Sequence, residues 1–152
     1  MNRQQGFSLI EIVLTIALIG LIAGISIPVY RELQQRNDLN VGVNTIVHDL
    51  RRAQLLAQSV QGDQNGNADS GKWGVHIGSD TITLFKGASF GQRDTSFDEA
   101  SSVPVSVKST CGTDIVFEKF SGLPLSSGTI TVTSHNNETH AITISPKGTI
   151  KY

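Results

Sequence analysis

Between residues 12 and 30 the chain carries no Asp, Glu, Lys or Arg. As a helix, the apolar run of residues 7–28 would extend roughly 33 Å at about 1.5 Å per residue, close to the roughly 30 Å of bilayer hydrocarbon. The pattern predicts a membrane-spanning helix. Its discordant residue is Glu11. An ionised carboxylate in lipid costs about 2.5 to 3.5 kcal/mol on insertion scales, so Glu11 calls for a partner. Arg3 and the amino terminus precede the run and place the short end in the cytoplasm, with the bulk of the chain outside. A secretory signal peptide would have to use Ala23-Gly24-Ile25-Ser26 as its cleavage site. Against that, the run is longer than the usual signal core and Glu11 interrupts it.

Further on, Leu39, Val43, Ile46, Leu50, Ala53, Ala57 and Val60 recur at alternating helical steps, while Arg31, Glu32, Asp38, Asp49 and Arg51 lie off that stripe. The first helix is therefore bipartite. Residues 7–28 are suited to lipid, and residues 29–61 form an amphipathic half whose stripe must be covered by the remainder of the chain. Residues 62–71, rich in Gly, Asn and Asp, end the helix as a loop. Strand-like alternation follows: residues 73–77 and 81–85 make one hairpin, and residues 129–133 and 140–144 a second. Residues 103–108, 115–120 and 149–152 are additional candidate strands, and the polar, acidic stretch 87–102 reads as a long surface loop. A mostly antiparallel sheet packed on the helix stripe gives an α+β fold, with residues 62–152 forming one β-rich head.

Composition sharpens this outline in two places. The net charge is -1, so no bulk field draws the chain to nucleic acid or to an acidic surface. The single cysteine, Cys111, excludes an intrachain disulfide and reads as a small buried hydrophobe.

Gly6-Phe7-Ser8-Leu9-Ile10-Glu11, behind a short leader with one basic residue and ahead of the apolar run, resembles the processing motif of type IV pilins and pseudopilins. The resemblance implies a leader of residues 1–6, cleavage by prepilin peptidase between Gly6 and Phe7, and N-methylation of Phe7. It also implies that Glu11 pairs with the amino terminus of a neighbouring subunit in a helical filament. Gly20 and Gly24 each cost roughly 1 kcal/mol against alanine in a helix, and Pro28 roughly 3 kcal/mol through its lost donor to the Gly24 carbonyl. These residues either permit close packing in the membrane or, as the resemblance implies for Gly20 and Pro28, weaken the helix when the subunit leaves the bilayer. Both readings place a bend between Gly20 and Pro28. Implied partners are prepilin peptidase and methylase, other pilin or pseudopilin subunits, an inner-membrane assembly platform, and lipid before assembly. Trp73-Gly74-Val75, Thr83-Leu84-Phe85-Lys86-Gly87 and the stretch around Ser145-Pro146-Lys147-Gly148 are similar to the H-type minor pseudopilins of type II secretion and related minor pilins.

Catalytic patterns are thin. His48, His76, His135 and His140 share no metal-ligand spacing with cysteine or carboxylate. Asp63-Gln64-Asn65-Gly66-Asn67 approaches a calcium loop, but Ala68 stands where the glycine belongs and Gly74 where the closing glutamate does. Asn137-Glu138-Thr139 fits a glycosylation sequon of low specificity. No enzyme activity, cofactor or metal is expected. Two functions remain: a structural filament subunit, or a minor pilin whose head binds a ligand such as DNA through Lys119, Lys147 and Lys151. Against the second, residues 62–152 hold 7 Lys and Arg and 9 Asp and Glu, so nucleic acid is not an expected partner.

Overall fold

A computed structural model of the chain describes residues 6–59, 71–110 and 112–152. The leader residues Met1 to Gln5, Val60, the loop with its calcium-like segment, and Cys111 lie outside them. The described residues form one long helix, α1 (Leu9–Gln58), and eight strands. Contacts divide the chain into two units, residues 1–35 and 36–152.

In the first unit α1 runs without interruption through Gly20, Gly24 and Pro28. Two hydroxyls bond back onto it: Thr15 donates to the Ile12 carbonyl at 2.8 Å and Ser26 to the Ile22 carbonyl at 2.9 Å. Every described residue from 6 to 34 is exposed. A Cβ added at Gly20 or Gly24 would meet nothing within 4 Å, so within this chain the glycines admit no close neighbour.

The second unit holds the remainder of α1 and two four-stranded antiparallel sheets, where the sequence pattern predicted a single sheet. One is ordered β3-β2-β1-β5 and contains β1 (Trp73–Ile77), β2 (Thr81–Lys86), β3 (Asp94–Ser102) and β5 (Asp114–Phe117). The other is ordered β4-β6-β7-β8 and contains β4 (Ser106–Ser109), β6 (Gly128–Thr133), β7 (Thr139–Ile144) and β8 (Ile150–Lys151). Both predicted hairpins form, in registers that pair Val75 with Leu84 and Ile130 with Ile142. The described stripe of α1 is buried from Leu39 to Ala57 in one core with Val75, Ile82, Leu84, Ile115, Phe117, Ile130, Val132, Ile142 and Ile144. Gly42 belongs to that stripe. A Cβ there would lie 2.5 Å from Val105 Cγ2, so the missing side chain lets residues 103–105 press against the helix.

The polar stretch 87–102 departs from the expected loop. It contains a 3-10 turn, Phe90–Gln92, and the nine-residue strand β3. Alternation is absent because β3 lies at a sheet edge with almost every residue exposed, so no core face imprints a pattern on it. It is held by backbone pairing to β2 and by Arg52 on α1, which donates to both carboxylate oxygens of Glu99 at 2.5 and 2.6 Å. That bond holds the Glu99 carboxyl below its ordinary range and raises Arg52. Asp49, off the predicted stripe, is nevertheless buried. One of its oxygens faces His48 Nδ1 at 3.3 Å, and the other has no hydrogen-bond partner among the described residues.

Candidate processing and assembly site

Gly6 and Phe7 stand ahead of the helix. Phe7 is 79% exposed, and nothing lies within 4 Å of where a Gly6 Cβ would sit, so the peptide between them is sterically open. The Ser8 carbonyl starts α1 by accepting from the Glu11 N–H at 3.0 Å and the Ile12 N–H at 3.3 Å. Ser8 and Glu11 thus hold the N-cap and third helical positions, the spacing of a capping box. Glu11 is also the acidic residue of the first turn, where unpaired N–H groups favour negative charge. Ser8-Leu9-Ile10-Glu11 carries this spacing in the sequence. From Leu9 onward the apolar side chains are uncovered, Leu14 at 65%, Leu18 at 61% and Leu21 at 68%. Among the described residues one helix is long and apolar enough to cross a membrane.

The three lysines fall in different settings. Lys119 sits in the loop after β5, its ammonium 5.2 Å from the Phe120 ring centre. Lys147 sits in the β7–β8 turn. The Gln54 amide of α1 ties the two segments together, donating to the carbonyls of Gly122 at 3.0 Å and Gly148 at 3.1 Å. Lys151 lies on β8 opposite Thr143, next to Tyr152, whose ring carries Arg51 at 5.4 Å. Lys119 and Lys147 therefore share one end of the head.

A second polar cluster was not legible as such. His76 Nδ1 lies 2.6 Å from the Asp114 carboxylate, which also accepts the Phe90 N–H at 3.0 Å. The Phe90 ring stacks on His76 at 3.8 Å and carries Arg93 at 3.6 Å; groups that close to one ring centre occupy opposite faces. Arg93 in turn donates to both oxygens of Asp98. The cluster clasps the β2–β3 connection. His76 and Asp114 meet only through the β1–β5 pairing, which sequence spacing does not reveal. Among the described residues no group of three or more His, Cys, Asp or Glu is arranged to hold a metal.

Residues 1–27 match the family described as the prokaryotic N-terminal methylation motif. The amino-terminal segment thus carries this methylation motif. The Type IV major fimbrial protein FimA of Dichelobacter nodosus is 31% identical over 83 residues, a match covering 49% of this chain and 52% of that protein. The fimbrial protein EcpB of Eikenella corrodens is 40% identical over 60 residues, covering 40% of this chain and 35% of that protein. The chain thus spans about half or less of the curated relatives it matches. No solved structure matches it. The matched residues hold Gly6, Phe7, Glu11, Gly20 and Gly24, and the match ends one residue before Pro28.

Proposed function

We propose that this chain is a structural, non-enzymatic minor subunit of a type IV pilus or type II secretion pseudopilus. It is inserted in the inner membrane with its amino terminus cytoplasmic and its head outside, cut by prepilin peptidase after Gly6 and N-methylated at Phe7. It then assembles into a filament through its amino-terminal helix. The observation that carries this reading is the opening of α1: an accessible Gly6-Phe7 junction, Glu11 in the first turn, and an uncovered apolar helix that only lipid or other subunits can bury. Cleavage leaves a positive amine at Phe7, and a neighbouring subunit's Glu11 offsets it. Gly20, Gly24 and Pro28 weaken the stretch that has to change surroundings.

Mass spectrometry of the chain recovered from its native membrane tests the processing: the mature protein begins at Phe7 and carries one added methyl group. Glu11→Ala inserts in the membrane as the wild type does and fails to enter filaments. Normal incorporation of that variant would refute the pairing.

A second reading, DNA bound by the exposed head, draws on the convergence of Lys119 and Lys147 at one end. Binding of the full chain in detergent to duplex DNA at several salt concentrations separates the two, since phosphate contacts make affinity fall steeply with salt. Absence of salt-dependent binding removes this reading.

A further inference from the structure

Residues 134–138 join β6 to β7 in a turn whose backbone closes on itself: the Ser134 N–H donates to the Glu138 carbonyl at 2.9 Å and the Asn137 N–H to the Ser134 carbonyl at 3.0 Å. Two asparagines stand side by side in it, and their side chains differ in employment. Asn136 Oδ1 holds the turn, accepting the Glu138 N–H at 3.2 Å. Asn137 takes the left-handed position with φ of 63°, which asparagine and glycine both tolerate, and its side-chain amide has no hydrogen bond among the described residues. Thr139 opens β7 two residues on, its hydroxyl equally unbonded among them, and residues 135–140 are all exposed. Of the chain's eight asparagines, Asn137 alone has a serine or threonine two positions later.

We infer that Asn137 is a modification site, the acceptor of an N-linked oligosaccharide delivered from a lipid diphosphate donor. Transfer of this kind reads an asparagine amide together with a hydroxyl two residues on, in a surface loop outside the cytoplasm. The inference therefore rests on the proposed orientation, which puts the head on that side. In the step, Asn137 Nδ2 forms a bond to the anomeric carbon of the first sugar, and the bond from that carbon to the diphosphate oxygen breaks. The lipid diphosphate leaves with the bonding pair, one amide proton passes to a carboxylate of the transferase, and nothing is oxidised or reduced. Both groups that are read stand outside the turn's own bonding, so the glycan is attached without breaking a hydrogen bond of the hairpin. Arg36 of α1 lies 4.0 Å from Glu138, so the acidic middle residue does not present an uncompensated charge to the anionic donor.

Tandem mass spectrometry of peptides from the full chain, recovered from its native membrane, tests the site. The peptide containing Asn137 carries an added oligosaccharide, attached at that asparagine. Asn137→Gly, which suits the left-handed backbone, and Thr139→Ala each remove the added mass completely. Thr139→Ser keeps the hydroxyl and Asn136→Asp keeps the turn's acceptor, so both variants retain it. A bare Asn137 in the wild type, or a glycan that persists in Thr139→Ala, would overturn the inference. The amino-terminal peptide of the same digest reports processing separately. A bare Asn137 on a chain that begins at methylated Phe7 defeats the glycan alone, whereas a glycosylated chain that still begins at Met1 defeats the processing alone.

Discussion

One helix lives two lives. Through residues 39–57 one apolar stripe of α1 is covered by two sheets of its own chain, with Val41 and Leu55 left outside it; over residues 9–33 side chains of the same kind have no cover in the chain at all. Hydrophobicity alone does not distinguish the halves. What differs is the arrangement: a stripe with polar flanks admits a one-sided cover, whereas a helix apolar all round needs an apolar surround. The first half therefore depends on another molecule for its burial, and the second does not.

The sharpest way to break this contrast is to truncate matched leucines. Leu50, fully buried, becomes alanine at a loss of about 2 to 5 kcal/mol in the stability of the head. Leu18→Ala, at a position 61% exposed, leaves head unfolding unchanged. Denaturant melts of the full chain in detergent compare them, and equal losses would mean that the halves are not independent. Glycines give a smaller contrast. Gly42→Ala drives a methyl into Val105 and destabilises the head by about 1 to 3 kcal/mol. Gly20→Ala meets nothing and strengthens its helix by about 1 kcal/mol, read as increased helicity by circular dichroism.

The smallest effect concerns pH and separates the head from the anchor. Glu99 is held below its ordinary range by the hydrogen bonds from Arg52, so it supports folding above the unfolded glutamate value of about 4.3. That support is lost as pH falls through the lowered folded value. Arg52, raised by the same bond, contributes until strongly alkaline pH. Both groups are largely solvated and screened, so the change is slight. Glu99→Gln flattens this part of the acid limb in a series of thermal midpoints; an unaltered limb would show that the pair adds nothing.

The halves also differ in how well the sequence announced them. The motif around Gly6, Phe7 and Glu11 was legible because its parts lie within one helical turn or beside it. The helix stripe was legible because a buried face repeats with the helix period. The edge strand β3 was not, since residues facing water on both sides leave no alternation, and only pairing with β2 makes them a strand. Asp49 was placed off the stripe by spacing yet is buried, because the surrounding sheets wrap more of the helix than the stripe alone. Gly42 owes its meaning to Val105, a residue distant in the chain.

The polar character of β3 has a consequence for crowding. An open sheet edge offers unpaired N–H and C=O groups to any strand that drifts past, and molecules confined to a membrane meet one another often. Along that edge stand Asp94 and the Arg93–Asp98 and Arg52–Glu99 pairs, hydrated charges that a second strand would have to strip of water before the two backbones could align. Heads can then gather at high density and remain separate folds, instead of fusing edge to edge into a continuous and irreversible sheet.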